Sequence, residues 1–371
     1  MENKLQSSVK KRYMEIDIIK FAAIIFMIFV HTYEIFTYEA FFESPDYEKP
    51  VVYAFNYLIE FLGGVPAAPV FMFCLGLGNI FSRDNSPLKQ TKRAFMLLLL
   101  GLLVNLFEQV FPLIWENPSL EDLIDAIPWL FSNDVYFFFT LACLFFAFAY
   151  ATKKPVLVCG ITCVLSLVGG FFFPFMDFTS DNAVRNTLLG LFFYTNELSF
   201  FPFTSWIVFP AAGYLFGAVL TKTEDRKKLY TRCAIIGIIG LVLITVIGLS
   251  LGYENSMLNA LECADEDFYT PNFFSQTWAL AFIMLFIPVC YWISTKIKPG
   301  KLTNLFTWGS RRVKELYVLQ WLVIVPFTPI LMLSSNIAFT YAMAAVITVL
   351  TFLLVALYMF VKSKLTKKQP V

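Results

Sequence analysis

Residues 20–31 read KFAAIIFMIFVH, and the polar residues at the two ends decide how the chain is read. Ten apolar positions separate a lysine from the only histidine in 371 residues. The wider stretch 16–38 is long enough to cross a hydrocarbon core about 30 Å thick, so the imidazole falls inside a span. Lys20 and His31 are eleven positions apart, which puts them on nearly one helix face and about 16 Å apart along its axis. Asp17 precedes Lys20 by three residues and Glu34 follows His31 by three. Asp17, Lys20, Ile24, Ile28, His31 and Glu34 therefore lie along one slowly drifting stripe.

The composition agrees with a membrane solvent: 58% of residues are hydrophobic, 43 are Phe, and the mean hydropathy is +0.69. Spans are predicted at 16–38, 53–81, 93–113, 135–150, 155–175, 205–220, 230–251, 273–293, 306–333 and 337–360, which gives an all-α polytopic membrane protein with about ten transmembrane helices in one bundle. Residues 186–203 are apolar but interrupted by Thr, Asn, Glu and Pro, and read as a re-entrant or interfacial segment. With no repeat and no long linker, residues 1–371 are expected to form one transmembrane domain. It has an N-terminal segment at 1–15 and a basic tail at 361–371.

The formal net charge of +1 hides strong polarity. Basic residues cluster in alternate connections: Lys10, Lys11 and Arg12; Arg83, Lys89, Lys92 and Arg93; Lys153 and Lys154; Lys222 to Arg232; Lys296 to Lys301; and the tail. The other connections carry acids, including Glu39 to Glu48, Glu116 to Asp125 and Glu254 to Asp267. By the positive-inside rule both termini are cytoplasmic. The basic N-terminus leads into a span too long for a signal-peptide core and without a small-residue cleavage site. Six of the seven cysteines lie within spans and only Cys263 lies in an outer connection, so no external disulfide framework is implied. With a single histidine, a metal site is not expected.

An ionisable side chain inside a membrane costs several kcal/mol unless it faces a bundle interior or a wet cavity, which makes His31 a functional candidate. Simpler accounts compete with that one: Lys20 and Asp17 as a snorkelling pair, or His31 as a hydrogen-bond bridge to a neighbouring helix. With Glu34 in reach, the carboxylate can hold one imidazole tautomer and leave the other nitrogen as a general base.

The stretch RYMEIDIIKFAAIIFMIFVH, residues 12–31, resembles the first helix of the membrane-bound acyltransferase superfamily. That group includes the acyltransferase-3 family and the heparan-alpha-glucosaminide N-acetyltransferase-like proteins. Its pattern of an acid, a basic residue, ten apolar positions and His is met by Asp17, Lys20 and His31. APVFMFCLGLG (68–78), FFPFTSWIVFPAAGYLFG (200–217) and WGSRRVKELYVLQWL (308–322) resemble later segments in the same order, with Leu75 where Ser is usual and Gln320 where His is usual.

The resemblance implies an acyl-CoA-dependent O- or N-acyltransferase, with acetyl-CoA the expected donor, in a bacterial cytoplasmic membrane. The acceptor it implies is an extracytoplasmic saccharide or glycolipid. It makes His31 the catalytic residue, as general base or acyl carrier, and Lys20 a ligand of the CoA phosphates. Charge and topology add Arg93, Arg311, Arg312 and Lys314 to that phosphate site. On the outer half Glu34, Glu108, Asp134 and Glu197 are candidates to face the acceptor, with Tyr38, Trp129, Tyr194 and Trp206 offering ring faces. Interfacial aromatic belts account for the same rings. Gly76 and Gly78 are expected to allow close helix approach beside a pantetheine arm. The alternatives are a transporter using Lys20 and His31 in a proton or solute pathway, and a family member that has lost its chemistry through Leu75 and Gln320.

Overall fold

The computed structural model describes residues 12–37, 49–82, 84–176, 182–196, 198–253, 266–332 and 337–366. Tyr38, Glu197, Cys263, Arg83 and the acidic stretches 39–48 and 254–265 lie outside the described residues, as do residues 1–11 and 367–371. The described chain is helical, with isolated bridges at Asn133–Ser199 and Asn196–Ser199 in place of strands.

The apolar run that opens the sequence forms α1 (Met14–Thr37), 24 residues or about 36 Å long. Glu15 and Asp17 stand in its first turn, where carboxylates complement the helix dipole. The helix is buried on nearly every side, through Ile19, Ala23, Ile24, Met27, Ile28 and Val30, as expected of a helix apolar all round. α2 (Pro50–Gly63) and α3 (Ala68–Phe81) both touch it.

α4 (Pro87–Asn105) is capped by the Ser86 hydroxyl, which accepts from the Lys89 amide. It runs into a π turn at Leu106–Val110 and a 3-10 turn at Phe111–Glu116. The short α5 (Leu120–Asp125) and then α6 (Val135–Ala151) follow, and α6 packs along α4. The chain continues through α7 (Pro155–Phe172), α8 (Ala183–Phe192), α9 (Phe203–Trp206), α10 (Val208–Lys222) and α11 (Arg226–Ser250). Next come α12 (Glu266–Tyr269), α13 (Phe273–Lys296), α14 (Lys301–Ser310), α15 (Val313–Met332) and α16 (Ile337–Thr366). α1 touches α13, α14, α15 and α16 as well, and is the helix around which the bundle is assembled.

Among the described residues, seven helical stretches are long and apolar enough to cross a membrane: Pro50–Phe81, Pro87–Ile114, Pro155–Phe175, Phe203–Lys222, Arg226–Ser250, Phe273–Lys296 and Ala338–Leu365. Val135–Ala151 is apolar but shorter. Two expected spans carry an internal turn. The 53–81 stretch is interrupted between α2 and α3, because Gly63, Gly64 and Pro66 stop one helix and Pro69 starts the next. The 306–333 stretch divides at Arg311 and Arg312, between α14 and α15. The segment expected to lie at the interface overlaps α8, whose 10 residues reach only about 15 Å and fall short of a crossing.

α3 and α10 meet backbone to backbone. A Cβ on Gly76 would lie 1.8 Å from the Pro210 carbonyl oxygen, and one on Gly213 would lie 2.0 Å from that of Phe73, whereas Gly78 has open space. Gly76→Ala or Gly213→Ala is therefore expected to destabilise the protein by about 1–3 kcal/mol through overpacking. Gly78→Ala should leave the unfolding temperature unchanged. Thermal unfolding of the three variants in detergent checks the contrast.

Candidate active site

The polar stripe of α1 is divided between two cavities. At its start, the Asp17 carboxylate is taken by Arg12 at 2.6 Å and by the Ser310 hydroxyl at 2.6 Å. Asp17 thus ties α1 to the end of α14, and Lys20 pairs with no carboxylate among the described residues. Lys20 instead lines a cavity of about 250 Å³ with Arg93, Lys314, Cys74, Leu75 and Gly78. Three cations facing one space, with Gly78 lacking a side chain and Phe71, Met96 and Phe139 supplying apolar wall, make a basic chamber suited to an anion with a slender apolar extension. Arg311 and Arg312 do not line it. Arg312 lies over the Trp308 ring at 4.9 Å and donates to the Trp308 carbonyl.

Eleven residues along α1, His31 lines a second cavity of about 110 Å³ together with Glu34, Glu108 and Asp134. The helix elements explain how these acids arrive. Glu34 is one turn beyond His31, Glu108 sits in the π turn after α4, and Asp134 is the residue before the first turn of α6. The described lining residues of this chamber include no lysine or arginine.

The imidazole is held from α15. Gln320 Nε2 lies 3.0 Å from His31 Nδ1, the Trp321 indole stacks on the ring at 5.1 Å between centroids and 21° between planes, and Tyr317 meets it edge-on at 6.0 Å. Gln320 is fully buried, and its Oε1 has no partner among the described residues. A side-chain amide can present either end to a ring nitrogen. With Nε2 forward it donates to Nδ1 and the proton sits on the imidazole Nε2. With Oε1 forward it accepts from Nδ1–H, its buried oxygen is satisfied, and the imidazole Nε2 is left with a lone pair for base chemistry. In both cases Gln320 selects the tautomer, the part the spacing on α1 suggested for Glu34.

The two cavities are divided by tyrosines. Tyr136 lines the basic chamber and Tyr317 the acidic one, with ring centroids 5.2 Å apart. The Tyr317 hydroxyl donates to Asp134 at 3.1 Å, and the Tyr136 hydroxyl donates to the Lys314 carbonyl at 3.4 Å. Phe200, Phe201, Phe268 and Tyr269 complete the acidic chamber. These four were missed by sequence reasoning, because nothing local distinguishes them among 43 phenylalanines and 17 tyrosines. Trp206 is buried away from the cavity, and its indole N–H donates to the Tyr269 carbonyl at 2.7 Å, so it braces a wall residue. Asn133 pins the same region: its amide side chain donates to Ser199 and to the Phe201 carbonyl. Trp129 and Tyr194 line neither chamber, and the Tyr194 hydroxyl donates to Asn186.

A family model described as an acyltransferase domain matches residues 14–361. The chain belongs to the acyltransferase-3 family. No match to a curated protein or to a solved structure is found. The family match together with the apolar helices makes the chain an integral membrane acyltransferase.

For this acyltransferase, Gln320→Ala removes one hydrogen bond and the tautomer bias with it, and should cost about tenfold in transfer rate, as a net hydrogen bond of about 1 kcal/mol or slightly more implies. Gln320→Glu should retain more activity than Gln320→Ala, because its carboxylate can accept from Nδ1–H. Rates of both variants with a common acyl donor decide the point.

Proposed function

We propose that the protein transfers an acyl group, acetyl in the first instance, from acyl-CoA held in the basic chamber to a hydroxyl or amino group of an acceptor entering the acidic chamber. The observation that carries this reading is that the only imidazole lines the acidic chamber beside Tyr317, whose ring touches Tyr136 of the basic chamber. Phosphates call for Lys and Arg, and Lys20, Arg93 and Lys314 line one cavity. The rise of about 16 Å from Lys20 to His31 suits a pantetheine arm that lays its thioester near the tyrosine partition. Crossings by α1 and α15 in addition to the apolar stretches would give about ten, with the basic chamber and both termini cytoplasmic and an extracytoplasmic saccharide or glycolipid as acceptor.

In the direct route, His31 Nε2 takes the proton of the acceptor's nucleophile as that atom attacks the thioester carbonyl. The new C–O or C–N bond forms, the C–S bond breaks, and the imidazolium returns the proton to the departing CoA thiolate. Glu34 and Asp134 stabilise the transient positive charge on the ring.

Acetyl-CoA at a hundred times its Kd should stabilise the purified protein by about 2.7 kcal/mol, and Lys20→Ala and Arg93→Ala should each reduce that effect. His31→Ala should keep the acetyl-CoA response and lose transfer by about 10²–10⁴-fold, the contribution of a general base. No thermal response to millimolar acetyl-CoA, together with solute flux in proteoliposomes lacking CoA, would replace this reading with a transporter.

A further inference from the structure

From the charge and ring content of the acidic chamber, we infer that its ligand carries an ammonium group, as an amino sugar or an amine-headed lipid does. The inference rests on the acyl-transfer reading only in taking that ligand to be the acceptor.

Three carboxyl side chains, Glu34, Glu108 and Asp134, line a cavity of about 110 Å³ whose described lining includes one imidazole, that of His31, and no lysine or arginine, so acids outnumber bases there. Carboxyl groups gathered in a low-dielectric site repel one another unless a cation joins them. The rest of the wall is aromatic, from Tyr317, Trp321, Phe200, Phe201, Phe268 and Tyr269. Ring faces with carboxylates at the rim are the means by which proteins hold ammonium ions.

Two buried polar atoms on residues of this lining are open to a ligand. Trp321 is 5% exposed, and its indole N–H has no hydrogen-bond partner among the described residues. Glu108 Oε2 is likewise without one. An ammonium-bearing polyol or head group satisfies both, its N–H donating to Glu108 and an oxygen accepting from Trp321. A carboxylate- or phosphate-bearing group would satisfy the indole but would stand beside three acidic side chains. The volume holds one small head group or one edge of a sugar ring, so the remainder of the ligand lies outside.

The test uses the full-length protein in detergent without donor. Binding of glucosamine, N-acetylglucosamine and glucuronate is measured by thermal shift, alongside lyso-phosphatidylethanolamine and lyso-phosphatidylglycerol in mixed micelles. Glucosamine is expected to bind at least about tenfold more tightly than glucuronate if the amine is on a sugar. Lyso-phosphatidylethanolamine is expected to exceed its glycerol counterpart by the same margin if the amine is on a lipid. Glu108→Gln and Asp134→Asn should each weaken the amine about tenfold while leaving the acetyl-CoA response in place.

Glucuronate or the glycerol lipid binding as well as the amine, or no amine binding at all, overturns the inference. So do Gln and Asn variants that bind the amine as well as the native chain. Amine binding without any acetyl-CoA response would uphold the ammonium site and sink acyl transfer, so the two failures are distinct.

Discussion

An imidazole cannot face hydrocarbon without a cost of several kcal/mol, and the architecture around α1 follows from that constraint. The helix carrying His31 is placed at the centre of the bundle, where α15 supplies a hydrogen-bonding amide at 3.0 Å and a stacked indole. Tyr317, on the same helix, reaches from the ring to Asp134. Asp134 in turn stands beside Asn133, whose side chain anchors Ser199 and Phe201. One partly buried ring therefore begins a chain of contacts from the bundle axis to the connecting loops, and its hydrogen bonds satisfy polar groups that lipid could not.

The same logic sorts charge. Lys20, Arg93 and Lys314 share one chamber, and Glu34, Glu108 and Asp134 share the other, although in sequence these residues are scattered over nearly 300 positions. Like charges brought together in a poorly polarisable medium raise the free energy of the empty protein. A ligand of opposite sign recovers that energy on binding. Close packing of α3 against α10 through Gly76 and Gly213 keeps this part of the scaffold tight while Gly78, two residues on, leaves its side of the basic chamber open.

The helical class, the position of most long helices and the stripe on α1 were legible in sequence because each depends on local periodicity. Lys20 and His31 stood out for the same reason: they break an apolar run at a spacing only a helix makes meaningful. The breaks at Gly64 and at Arg311 were hidden by hydropathy, which averages over the backbone chemistry of Gly and Pro. Gln320 was readable only as a departure from a family pattern, whereas in three dimensions it is the direct partner of His31. Arg311 and Arg312 looked equivalent to Lys314 by charge, yet only Lys314 lines the chamber; a turn at the end of α14 separates them, and a count of charges cannot see that. Glu108 and Asp134 reach the same cavity from different helices, a convergence that no spacing along the chain records.

The tyrosine partition has a consequence for the cell that carries the protein. For the transfer proposed above, which would join substrates from opposite faces of a membrane, a continuous bore wide enough for a thioester would also conduct protons and dissipate the ion gradient. Tyr136 and Tyr317 are in ring contact with each hydroxyl engaged on its own side, so the walls of the two chambers meet in a pair of touching aromatic rings, the kind of partition such a transfer would need to keep the gradient intact.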